Sequence, residues 1–124
     1  MVGGGTTMAF LFENLHVYQK AVDFAEQISN LTDKFPKGTY YLVDQINRAA
    51  LSISLNIAEG NGKFTGNDKK NFFFIARGST HECVPLLEIS KRKKFISEPD
   101  CIKLKAQLEE IAKMISGMVK RYEQ

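Results

Sequence analysis

The chain is short of the residues that most site chemistry needs. Its 124 residues include two cysteines, two histidines and three prolines. Cys83 and Cys101 are too few for a disulfide framework and lack the close spacing of a metal site. They read as two buried thiols in a reducing cytoplasm, where the sequon Asn30-Leu31-Thr32 has no role. His16 and His81 are the only histidines. His81-Glu82-Cys83 strings three ligand types together, but consecutive helical residues point apart. The Glu-x-x-His pair of di-iron bundles is missing, and no nucleophile–base–orienter set can be argued from two separated histidines. The expectation is a non-enzyme without metal or cofactor. Long apolar runs are missing too: none approaches the roughly 20 residues of a membrane span. The opening MVGGGTTMAF has no basic n-region and no apolar h-region, so it is not a signal peptide. Residues 1–13 are expected to be a disordered lead or a cloning scar, with Met8 as a candidate native start, ahead of a single domain over residues 14–124. Strand alternation and internal repeats are absent. The charge imbalance is small, +3 with a pI near 8.9. It permits contact with nucleic acid or an acidic partner without demanding it.

What the chain does have is helical periodicity. Its centre is Leu42–Gly60, LVDQINRAALSISLNIAEG. Leu42, Ile46, Ala49, Ile53 and Ile57 make one stripe, Val43, Ala50 and Ser54 run beside it, and Leu51, Leu55 and Ala58 widen it again. An ordinary surface helix has one apolar stripe. This one has too little polar face, so it should be covered by helices of its own chain and by a neighbouring subunit.

Three further helices surround it. The first spans Leu15–Lys34, with Asn14 as N-cap and Tyr18, Ala21, Ala25, Ile28 and Phe35 as its stripe, widened by Val22, Phe24 and Leu31; Phe35-Pro36-Lys37-Gly38 ends it. The central helix runs from about Thr39 to Glu59. Gly60-Asn61-Gly62-Lys63 then breaks the chain. This is not a phosphate loop, since Phe64 stands where Ser or Thr is needed and a helix, not a strand, precedes. The glycines read as a left-handed C-cap. The third helix opens on a capping box, Thr65 with Asp68, and continues to about Phe95. Its core face is expected to be Phe72, Ile75, Ala76, Ser79, Cys83, Leu86 and Ile89 or Ser90, with a kink at Pro85. Phe72-Phe73-Phe74 cannot all face one core, so one of them is exposed or covered by a partner. Ser97, Pro99 and Asp100 start the fourth helix. There Cys101, Leu104, Leu108, Ile111, Ile115, Met118 and Tyr122 form a heptad seam. Four helices with short breaks predict an all-α, antiparallel up-down-up-down bundle.

Two polar constellations stand out. Gln45, Arg48, Asn56 and Glu59 should meet Ser79 and Glu82 across a hairpin of the second and third helices. They read first as a structural network fixing helix register, and second as a ligand- or RNA-contacting pocket. If Glu59 is paired inside the fold, Glu59→Ala should cost about 1–3 kcal/mol. The other constellation is cationic. Lys91, Arg92, Lys93 and Lys94 close the third helix, where they complement its dipole, and Lys63, Lys69, Lys70 and Arg77 lie toward its other end. Repeated around an oligomer, these make a basic surface suited to phosphates. Aromatic–basic interleaving of the RRM or cold-shock kind is absent.

Several strings in order carry a resemblance: Val17-Tyr18-Gln19-Lys20-Ala21, Gln45-Ile46-Asn47-Arg48-Ala49-Ala50, Ser54-Leu55-Asn56-Ile57-Ala58-Glu59-Gly60, Ile75-Ala76-Arg77-Gly78-Ser79 and Glu82-Cys83. From Leu15 to Tyr122 the chain resembles the bacterial four-helix-bundle proteins encoded by intervening sequences of large-subunit ribosomal RNA genes. The accessory variability determinant of diversity-generating retroelements shares that fold. The resemblance implies a homopentamer shaped as a tapered barrel. For the retroelement members it also implies binding of nucleic acid and of a reverse transcriptase through a basic surface; for the stand-alone members it implies no established activity. Pro85, Lys94 and Lys63 depart from the pattern, which has a helix former, a glycine and an arginine there. The leading expectation is a cytoplasmic homo-oligomer that binds RNA or DNA. The rival is a protein-interaction scaffold, and a small-molecule or metal-binding bundle comes third.

Overall fold

The computed structural model describes residues 10–123. Four helices account for most of them: α1 (His16–Thr32), α2 (Tyr40–Asn61), α3 (Gly66–Arg92) and α4 (Glu98–Arg121). Among the described residues there is no strand, and no helix is long and apolar enough to cross a membrane. The expected lead over residues 1–13 falls largely outside the description. Its last described residues wind into a 3-10 turn over residues 10–14. That turn takes Asn14 out of capping geometry. Leu15 occupies the N-cap of α1 and makes no side-chain cap bond, while Gln19 Nε2 donates to Glu13 O at 2.9 Å. Thr39 at the N-cap of α2 makes no side-chain cap bond either, whereas α3 and α4 are capped by Thr65 and Ser97, with the Thr65 half alone of the expected capping box formed. Thr65 Oγ1 accepts from Asp68 N at 3.1 Å, and Ser97 Oγ accepts from Asp100 N at 3.2 Å.

The helices meet in pairs whose partners recede from each connecting turn. Between α2 and α3, Gly60 stands against Phe73, Ser52 bonds Ser79 and Gln45 bonds Glu82. Between α3 and α4, Cys101 lies against Leu87, Lys105 against Glu88 and Gly66 against Tyr122. The first and last helices close the bundle through a reciprocal amide pair, Gln27 with Gln107, at 2.8 and 3.0 Å.

Burial corrects three expectations. The core face of α3 is Phe73, Ala76, Ser79, Thr80, Cys83, Leu87 and Ser90; Phe72 and Leu86 are only half-buried, and Ile75 is exposed. The polar members are tolerated because they satisfy themselves locally. Thr80 Oγ1 donates to Arg77 O at 2.6 Å and Ser90 Oγ to Leu86 O at 2.8 Å, so neither hydroxyl is left unpaired. On α1 the stripe is Val17, Ala21, Phe24, Ile28 and Thr32, not one through Tyr18 and Ala25. Here Thr32 bonds Ile28 O and accepts from Asn47 Nδ2 at 2.9 Å. On α4 the seam holds from Cys101 to Ile115 and then takes Val119 in place of Met118.

The glycines after α2 also differ from expectation. Gly60 lies inside the helix and is buried, and a Cβ there would sit 2.7 Å from Phe73 Cε1. Its role is close approach of α2 to α3. Gly62 caps α2 with φ −81°, in the right-handed region. Among the described residues, the left-handed positions are Gly38, with φ 87°, and Lys94, with φ 66°. Helix α3 is continuous through Pro85. Pro85 is exposed and lacks the N–H that would meet His81 O.

Candidate nucleic-acid interface

Seven of the eight cations expected to contact phosphate fall into two groups at opposite ends of α3, and Arg77 stands near its middle. Lys69 and Lys91 are separated by roughly 33 Å along the helix axis at 1.5 Å per residue. They do not form one patch on a single chain.

At the α2–α3 end, Lys63 Nζ lies 3.1 Å from Glu59 Oε2 and 5.0 Å above the Phe72 ring. Lys69 Nζ donates to Asn61 O at 2.9 Å and lies 5.9 Å from the centre of the Tyr122 ring. Its ammonium thus ties the last carbonyls of α2 to the end of α4. Lys70 sits one residue on, half-buried. Arg77 lies further along α3, on a groove of about 460 Å³ between α3 and α4. The floor of that groove includes Val84, Leu108 and Ala112, and its rims carry Lys105 and Lys113.

At the other end, Glu88 gathers the charges. Its carboxylate accepts from Lys105 Nζ at 2.6 Å, Arg92 Nε at 2.9 Å and Lys91 Nζ at 3.3 Å. Three cations around one carboxylate hold Glu88 down to about 2 from its ordinary 4.5, chiefly through the bond from Lys105, then Arg92 and Lys91. The Lys105 ammonium is raised in turn by Glu88. Lys91 and Arg92 are therefore partly neutralised. Among the described residues, five of these eight cations, Lys69, Lys70, Arg77, Lys93 and Lys94, have no carboxylate within 4.0 Å. Lys69 is already bonded to Asn61 O, and the other four present unspent charge.

The polar network forms in part. Gln45 Nε2 donates to Glu82 Oε2 at 3.1 Å. Asn56 Nδ2 donates to Ser52 O and Ser52 Oγ, and Ser79 Oγ donates to Ser52 Oγ at 2.8 Å. Ser52, which the sequence reading passed over, is the hub; its spacing of four from Asn56 was the available signal. Arg48 and Glu59 do not cross to α3. Arg48 pairs with Asp44 and Glu59 with Lys63, each within one turn and exposed. An exposed pair of this kind contributes a few tenths of a kcal/mol, well below the value expected for a buried Glu59. His81 and Cys83 part company as helical geometry requires. His81 is exposed, with Nδ1 3.0 Å from Arg77 O, and a carbonyl acceptor there places the proton on Nδ1. Cys83 is fully buried, and burial, with Glu82 adding to it, pushes its thiol up to about 12. No group of three or more metal-ligating side chains occurs among the described residues.

The family model described as 23S rRNA-intervening sequence protein matches residues 13–117. The chain belongs to this family. Among solved structures, the chain is similar to a protein from Bacteroides thetaiotaomicron VPI-5482, described as of unknown function and from the S23 ribosomal protein family. The TM-score is 0.78 at 26% identity, over 84% of this chain and 98% of that one. No curated protein matches the chain. The family match spans all four helices in part or whole, so the bundle described above is the family's unit.

Proposed function

We propose that this chain is a non-enzymatic, cytoplasmic member of the 23S rRNA-intervening sequence family that assembles with itself and binds RNA or DNA through its basic surface. The bundle is read as antiparallel and up-down-up-down, in keeping with helix contacts that recede from each turn. The assembly is read as a ring, with five subunits on the strength of the family resemblance. Leu51 and Leu55 support self-association: they lie one turn apart on α2 and are 51% and 64% exposed. With Phe74 and Ile75 of α3, also exposed, they leave apolar surface of the kind that marks an interface.

The observation that carries the nucleic-acid reading is that four of the eight candidate cations, Lys70, Arg77, Lys93 and Lys94, have neither a carboxylate partner nor another side-chain bond among the described residues. Cyclic symmetry would repeat them around a ring. Neutralising phosphates releases counterions, so affinity should fall steeply as salt rises. The test is a mobility-shift titration at several salt concentrations, on the parent and on a variant with Arg92, Lys93 and Lys94 changed to glutamine. The variant should bind all sequences more weakly by a similar factor and show a flatter salt dependence. Its stability should change by no more than a few tenths of a kcal/mol. A parent that binds nothing at low salt ends this reading. The scaffold reading would then take its place, on the strength of the uncovered Leu51 and Leu55. In a retroelement setting, a reverse transcriptase is a further partner for the same surface.

A further inference from the structure

We infer that Phe64, at the tip of the α2–α3 turn, is a stacking platform for an unpaired base, so that this end of the bundle takes single-stranded nucleic acid. The inference rests on the proposed binding of RNA or DNA and names the form of nucleic acid and the residue. Phe64 is 100% exposed. It directly precedes Thr65, the N-cap of α3. A hydrophobic residue there ordinarily packs on the fourth helical residue as a staple. In this chain that residue is Lys69, whose ammonium is turned to Asn61 O and the Tyr122 ring, and Phe64 covers nothing. The ring therefore has no structural role in the bundle, in a turn where polar residues are the rule.

Its surroundings are cationic. Lys63, Lys69 and Lys70 flank it in sequence. The last turn of α4, carrying Lys120 and Arg121, ends close by, since Gly66 stands against Tyr122. Among the described residues, the carboxylates at this end include Glu59, which is taken by Lys63, Asp68, Glu123 and Glu13, which precedes α1 beside the end of α4. Cations that track a backbone around an exposed aromatic ring are the features that hold single strands. A duplex keeps its base faces stacked inside and offers the ring nothing.

The chain contains no tryptophan, so Phe64→Trp introduces a lone indole at the site. It is titrated with an oligothymidylate and with a DNA duplex of the same length at low salt, while anisotropy of the labelled DNA reports binding. The indole emission should be quenched by the single strand in step with binding, and not by the duplex. Phe64→Ala should weaken single-strand binding roughly tenfold and leave duplex binding unchanged. If the oligothymidylate binds without quenching, or Phe64→Ala binds it as tightly as the parent, the inference is wrong and the basic-surface reading stands. If neither DNA binds the parent, that reading fails and this one with it. If Phe64→Ala instead lowers the mass seen by light scattering, the ring belongs to a subunit contact and the inference is overturned.

Discussion

Lys94 adopts a conformation that suits glycine. The N–H of Phe95 reaches Ser90 O and that of Lys94 reaches Lys91 O, both at 2.9 Å, closing α3 in a Schellman motif. The motif needs a left-handed residue, and Lys94 supplies it at φ 66°. A side chain there costs about 1 kcal/mol relative to glycine. Lys94→Gly should therefore raise the thermal midpoint by a few degrees, and a midpoint that fell would place Lys94 outside the left-handed region in solution. Gly60 runs the other way. A methyl group there meets the Phe73 ring at 2.7 Å, so Gly60→Ala should destabilise by about 1–3 kcal/mol in denaturant unfolding. Lys94 stands where the family pattern has a glycine, and its left-handed φ agrees with that expectation. Gly60 looked like a cap because it opens a glycine-rich run, and only the packed position of Phe73 reveals that it is a contact. Phe64 was hidden for a related reason: exposure is a property of where the turn stands, not of the residue.

At the scale of elements, α3 and α4 are tied by Glu88, which is on α3 and accepts from Lys105 on α4. Its carboxyl titrates at about 2 when folded, against 4.5 ordinarily. A depressed acid contributes stability that is complete above 4.5 and lost as pH falls from there toward 2. Glu88→Gln should melt below the parent at pH 7, and the gap should close by pH 2. A gap of equal size at both values would show that the carboxylate charge is not what holds the helices. Helix α4 was the most legible element, because its seam from Cys101 to Ile115 alternates steps of three and four with few apolar residues elsewhere. Helix α3 was the least. Three consecutive phenylalanines allow more than one frame, and Thr80 lies in the core at a position that hydrophobicity alone assigns to the surface. Its bond to a backbone carbonyl removes the penalty that argument assumes, as does that of Ser90, the buried one of the two alternatives for its turn.

For the whole molecule, four helices, their order and the family were legible because periodicity and breaks fix the bundle and several strings fix the resemblance. The interface was not. One chain places its two basic groups at opposite ends of α3, and its exposed Leu51 and Leu55 lie on a different helix. Whether those groups act together depends on the proposed assembly. The central proposal is that the chain works as an oligomer carrying nucleic acid. Size-exclusion chromatography with light scattering, on the protein mixed with a labelled RNA, tests it directly. The account predicts a species with about five times the 14.0 kDa protein mass of one chain, carrying RNA at low salt and releasing it as salt rises while the protein mass holds. A species of single-chain mass, or an oligomer that leaves the RNA unbound at low salt, would contradict it.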